Sequence, residues 1–150
     1  MFVQSSIEVP FGLDAVRAEM LASVHCWLQP LLEEATVEGR VLGAEMIPNH
    51  SGNRRVLNVT IGSPWVGESM ASIPFRAWIE GAWVDFDSHL SVGWFGDRST
   101  QLDVDAHYLP PMLEARERLV LHRLVQAMCR QFLSKVALEL SERVSPVGGG

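Results

Sequence analysis

Between Arg116 and Val144, the apolar residues Leu121, Leu124, Val125, Met128, Phe132, Val136, Leu140 and Val144 return at steps of three and four. That spacing draws one stripe along a helix of 3.6-residue period. Arg123, Arg130, Gln131, Ser134, Lys135, Glu139 and Glu142 fall mainly on the rest of the circumference. No Gly or Pro interrupts the run, and Pro110-Pro111 and Pro146 mark its limits. At 1.5 Å per residue such a helix is roughly 40 Å long. It needs a partner of similar length, and most of the preceding chain alternates with a period of two. The pattern predicts a sheet wrapped around a long C-terminal helix.

Val3, Ile7 and Val9 alternate with Phe2, Gln4, Ser6 and Glu8, a first strand ended by Pro10. Gly12-Leu13-Asp14 reads as a helix start with Asp14 as the N-cap, and Leu13, Val16, Met20 and Leu21 keep one face apolar. A second short helical stretch, Val24 to Glu34, is kinked or broken by Pro30, and Gly39 closes the helical pair. Five strand-like runs follow. They are carried by Leu42, Ala44 and Met46; by Leu57, Val59 and Ile61; by Ile73, Phe75, Ala77 and Ile79; by Phe86, Leu90, Val92 and Trp94; and by Leu102, Val104, Ala106 and Tyr108. Alternation with one polar face predicts an antiparallel sheet covered on one side.

Parity also fixes the register, because paired strands turn the same set of residues inward. A two-residue turn at Gly81-Ala82 pairs Ile79 with Val84, Ala77 with Phe86 and Phe75 with Ser88. A short loop around Gly96-Asp97-Arg98 pairs Val92 with Leu102, Leu90 with Val104 and Ser88 with Ala106. On the outer face the same register sets Arg76 and His107 opposite Asp87, and His89 opposite Asp105, which are favourable cross-strand pairs.

With 150 residues, 47% of them hydrophobic and 20% charged, the chain has an ordinary globular profile and can bury a real core. The formal charge of −6 disfavours nucleic acid as a partner, since phosphate binding needs a basic face. Cys26 and Cys129 form no C-x-x-C pair and read as reduced thiols. Neither a signal peptide nor an apolar run of membrane-spanning length is visible, so a cytoplasmic protein with no stable membrane insertion is expected. Gly148-Gly149-Gly150 reads as a frayed tail.

The order of strand, two short helices, antiparallel strands and long helix resembles the START-like superfamily of polyketide cyclases/dehydrases, lipid-transfer proteins and hydrophobic-ligand binders. The opening strand ending in Pro10, the Leu13-Asp14-Ala15-Val16 helix start and the final helix carry the resemblance, which extends from Val3 through Val144. Ser23 to Glu34 departs from it, being more helical than the Trp-Pro-containing loop often found there. The expected fold is α+β and helix-grip: a curved six-stranded antiparallel sheet around a long C-terminal helix, with two short helices after the first strand. One domain spans 1–145, and 146–150 is a disordered tail.

The resemblance implies an apolar cavity between the sheet and the last helix. The residues support it in part, because Ser88 and Ala106 pair across the sheet with Ala77 nearby, leaving the inner layer short of bulk. Phe132, Met128 or Phe86 filling the gap is the competing reading. The expected ligand-binding residues are Ala77, Phe86, Ser88, Leu90, Trp94, Ala106, Tyr108, Met128 and Phe132, with Trp94, Tyr108 and Ser88 supplying polar groups. Asp85, Asp87, His89, Asp103, Asp105 and His107 on the outer face could hold a metal, but cross-strand pairing accounts for them, and a solvated face is the stronger reading. His25 and Cys26 are neighbours that diverge on a helix and form no nucleophile–base pair. No phosphate-binding Gly motif, H-E-x-x-H or G-x-S-x-G occurs. No catalytic residue, metal ligand or cofactor is assigned.

The leading expectation is therefore a non-catalytic binder or carrier of a small hydrophobic ligand, lipid or polyketide-like. An enzyme of polyketide cyclase or dehydratase type is the first alternative, weakened by an inner face offering only Ser88 and Tyr108. The second is an interaction protein, docking a partner or forming a homodimer through the Trp65 loop or an outward patch of Trp78 and Trp83.

Overall fold

A computed structural model describes residues 1–46, 57–79, 85–108 and 114–145. In chain order these form β1 (Phe2–Val9), α1 (Leu13–Leu21), α2 (Val24–Met46), β2 (Leu57–Ile61), β3 (Trp65–Val66), β4 (Met70–Ile79), β5 (Asp85–Gly96), β6 (Ser99–Tyr108) and α3 (Ala115–Val144). The strands make one six-stranded sheet in the order β1-β6-β5-β4-β2, with β3 paired to β4. Every pairing is antiparallel. The sheet is curved, and this is the helix-grip architecture that the strand and helix order implies.

The register follows parity. Phe75 pairs with Ser88 and Ala77 with Phe86, while Ser88 pairs with Ala106, Leu90 with Val104 and Val92 with Leu102. The outer pairs Arg76–Asp87 and His89–Asp105 occur as expected, and His89 Nδ1 lies 3.3 Å from an Asp105 carboxylate oxygen. Asp103 accepts hydrogen bonds from the Ser6 hydroxyl and, at 2.9 Å, from the Gln101 amide. The Gly81-Ala82 turn and Trp83 lie outside the described residues.

Two local expectations are corrected. Leu42 to Met46 is not a strand: α2 continues through Pro30 and Gly39 to Met46. Pro30 removes one N–H from that helix, but it is exposed there, so the carbonyl it leaves unpaired can be served by water. The sixth strand is instead the two-residue β3. Asp14 is also not the cap of α1. Gly12 holds the N-cap position in an extended conformation, and Asp14 sits in the first turn, where its charge suits the helix dipole and its carboxylate pairs with Arg17 at 3.1 Å.

Helix α3 has 30 residues, a length of about 45 Å. Its buried positions are Leu121, Val125, Phe132, Leu133, Val136, Ala137 and Leu140. They fall into two groups. Phe132 to Leu140 join the main core with Val16 and Met20 of α1, Trp27 and Leu28 of α2, and the inner residues of β4, β5 and β6. Leu121 and Val125 join a smaller cluster with Val3 and Tyr108. Between them the helix presents Met128 and Cys129, both only partly buried.

The grip predicts opposite outcomes for two neighbouring leucines on α3. Leu140 is fully buried and Leu138 is 62% exposed. Leu140→Ala is expected to lower unfolding stability by about 2–5 kcal/mol and Leu138→Ala by no more than about 0.5 kcal/mol. Urea denaturation of both variants checks which face the sheet holds.

Candidate functional site

The site arises from one row of the sheet. Register places Phe75, Ser88, Ala106 and Val3 side by side on the inner face of β4, β5, β6 and β1. The two central members are small. The next row, Ala77–Phe86–Tyr108, carries a third small residue. Opposite them runs the part of α3 where the helix passes from one core cluster to the other. A cavity of about 60 Å³ occupies the space, open to solvent on one side. Ala77, Ser88 and Ala106 form its sheet wall, Val125, Met128, Cys129 and Phe132 its helix wall, and Leu32 and Ala35 of α2 one flank. Phe75 and Phe132 face each other at the edge with ring centroids 5.9 Å apart.

The cavity is apolar but holds two polar atoms. Ser88 is 1% exposed, and among the described residues its hydroxyl forms no hydrogen bond. No fully enclosed side-chain oxygen or nitrogen lacks a partner among those residues, so the Ser88 oxygen borders the cavity space itself. The Cys129 thiol borders it from the helix, and burial pushes its pKa up to about 11. At neutral pH it is a protonated, weakly nucleophilic thiol.

Behind this wall lies a second polar pair. Tyr108 is 2% exposed, and its hydroxyl lies 2.8 Å from His122 Nδ1, with the two rings stacked at 6.2 Å. Burial, and to a lesser degree the nearby Cys129, raises the Tyr108 pKa above the ordinary phenol value. The hydroxyl is thus protonated and already partnered.

Six of the expected site residues, Ala77, Phe86, Ser88, Ala106, Met128 and Phe132, line the cavity together. Three do not. Leu90 is buried one row further along, in the main core. Tyr108 belongs to the smaller cluster and is turned to His122. Trp94 is 61% exposed: it lies at a bulge where the register of β5 shifts between Trp94 and Gly96, and a bulge re-aims its side chains. Its strand partner Thr100 is buried and donates to the Phe11 carbonyl at 2.7 Å. Leu32, Ala35, Phe75, Val104, Val125 and Cys129 are wall residues that pattern reading missed. The α3 stripe contained Val125, and the neighbouring position 129 was the available signal for Cys129.

Other candidate chemistry is dispersed. His25 and Cys26 are exposed, and no three His, Cys, Asp or Glu side chains among the described residues are grouped so as to hold a metal. Among the described residues, no helix is long and apolar enough to cross a membrane. Trp65 pairs opposite Ser72 toward the far end of β4 from Ala77 and does not cover the cavity.

No protein-family model matches the chain, and no curated protein matches it. Among solved structures it is similar to a conserved protein from Geobacillus kaustophilus, 10% identical over 93% of this chain and 94% of that one, with a TM-score of 0.55. It is also similar to a hypothetical protein from Helicobacter pylori, 10% identical over 93% and 84% of the two chains, with a TM-score of 0.51. An aromatase/cyclase from a Streptomyces species aligns over 100% and 99% of the chains at 14% identity and a TM-score of 0.49. These likenesses, at 10–14% identity, are of fold alone.

The raised thiol pKa gives a pH signature. Below pH 9 Cys129 is protonated in the folded and unfolded chains alike. Between pH 9 and about 11 the unfolded thiol ionises while the folded one does not, so stability falls as pH rises through this window. The loss from Cys129 is at most about 3 kcal/mol. Cys129→Ala is expected to remove that component, measured as the difference between the urea midpoints at pH 8.5 and pH 10.5.

Proposed function

We propose that this protein binds a small hydrophobic molecule between the inner face of its sheet and α3. The observation that carries this reading is the small-residue layer of Ala77, Ser88 and Ala106 opposite Val125–Phe132, where the walls leave a cavity instead of meeting. Protein interiors normally fill such space. A void of about 60 Å³ costs up to about 1.5 kcal/mol relative to a filled core. Leu in place of Ala at one wall position would remove it at no chemical expense. Keeping three small residues together on adjoining rows is therefore consistent with selection for space.

Carriage of a lipid, or binding of a polyketide-like ring system, is the form this reading takes by resemblance. Either is larger than a space of about 60 Å³, so the walls yield or part of the ligand lies in the open side. Met128, flexible and half-buried on the wall, is the side chain best suited to yield. The groups in and behind the wall favour binding over cyclase or dehydratase chemistry: the Cys129 thiol on the wall holds its proton to about pH 11, and the Tyr108 hydroxyl behind it is engaged by His122.

A second reading rests on a different observation. Trp65, Val66, Met70, Trp94 and Phe95 are all exposed. The pairing of β3 with β4, and of Met70 with Gly93, gathers them at the end of the sheet away from Ala77. An apolar corner of this kind suits association with a protein partner or a second copy. The Trp78 side chain and Trp83 lie outside the described residues.

Native mass spectrometry of the freshly purified protein separates the two. A bound apolar molecule of constant mass, lost in Ala106→Phe while Leu138→Ala retains it, is the result expected for the cavity. A mass that doubles with concentration and reverts in Trp65→Ser/Trp94→Ser, with nothing bound, would replace ligand binding by association.

A further inference from the structure

The polar atoms of the cavity restrict what can occupy it. No residue lining it carries a formal charge, so a carboxylate or ammonium drawn inside would be desolvated with no countercharge. The Ser88 hydroxyl, on the sheet wall, has no partner among the described residues. The Cys129 thiol, on the helix wall, is a weak donor. Water at the inner end gains little from the walls, because they offer it one hydroxyl and one thiol where an ordered buried water makes two to four hydrogen bonds. A hydrocarbon leaves the hydroxyl unpaired. An apolar body with a single neutral oxygen satisfies both walls at once. Size adds a preference, since a space of about 60 Å³ favours a body no larger than one small ring over a long chain.

Resting on the ligand-binding reading above, we propose that the cavity selects a short or single-ring uncharged ligand with one carbonyl or hydroxyl oxygen, held by a hydrogen bond to the Ser88 side chain. The anchor is geometric: Ser88 occupies the middle of the light row, paired to Phe75 on one side and Ala106 on the other. Its oxygen therefore meets a ligand whose apolar part lies along Ala77, Val125 and Phe132.

The test titrates the intact protein with cyclopentanone, methylcyclopentane, cyclopentanecarboxylate at pH 7.5, and hexadecan-1-ol. Binding is read from NMR shifts of the Val104, Ala106 and Val125 methyl groups. The ketone and the hydrocarbon are both expected to move these methyls, and the carboxylate to leave them unmoved. Ser88→Ala is expected to weaken the ketone about tenfold while leaving the hydrocarbon unchanged. Ketone affinity unchanged in folded Ser88→Ala, or in Ser88→Cys should the alanine variant not fold, overturns the oxygen anchor and leaves the apolar cavity standing. Carboxylate binding as tight as the ketone's overturns charge exclusion, and hexadecan-1-ol binding more tightly at the same methyls overturns the size preference. If no compound moves these methyls in the folded wild type, ligand binding at this site fails altogether.

Discussion

Covering the apolar stripe of α3 is the demand to which the other elements answer. A helix of 30 residues cannot bury its whole stripe against the nine-residue α1. A curved antiparallel sheet with one apolar face can meet it along its length. Phe132, Leu133, Val136 and Leu140 are held where the inner rows are bulky, among Ile73, Leu90, Val92 and Leu102. Helices α1 and α2 close the core with Met20 and Trp27, whose indole N–H donates to the Met20 carbonyl at 3.2 Å. The sheet's outer face contributes little to this core, and its charged side chains pair with each other across strands.

The cavity follows from the same demand, because the sheet's rows are not equally bulky. Where Ser88 and Ala106 stand side by side, a straight helix packed tightly on the neighbouring rows cannot also descend to fill the dip. The core then separates into two clusters, with Cys129 touching both. A gap of this kind is held open by stiffness. Closing it would tilt α3 and loosen the contacts of Leu140 and Val136 at one end, or of Leu121 at the other. Burial of those residues, at about 1.5–3 kcal/mol each, outweighs the cost of the space.

Much of this was readable from residue order, and the failures have specific causes. The registers of β4, β5 and β6 were legible because inward parity and outward charge pairing gave the same answer independently, as at Leu90–Val104 and His89–Asp105. The Leu42–Met46 error came from a short run in which residues four apart satisfy both periods; only continuity with α2 decides it. Trp94 was misplaced because parity names a face, not the extent of the core along it, and a bulge re-aimed the side chain. Leu32 and Ala35 became cavity wall through the docking of α2 beside α3, a tertiary fact without a local signal. The small row was legible since it needed only register and residue size.

Tyr108 and Ser88 show how buried hydroxyls on one face acquire different roles. They lie one row apart on the inner side of the sheet, and both are almost fully enclosed. Tyr108 reaches across to α3 and is satisfied by His122; it is fastened to the fold, and burial holds its proton in place. The serine side chain is too short to reach the helix from the middle of a light row. Its hydrogen-bonding capacity is left at the cavity surface, where an unmet hydroxyl costs about 1–3 kcal/mol. A core under selection for stability alone has no use for a serine there, since alanine fits the same space. The small neighbours that create the void also leave that oxygen without a partner, which ties the cavity and its polar point to the same residues.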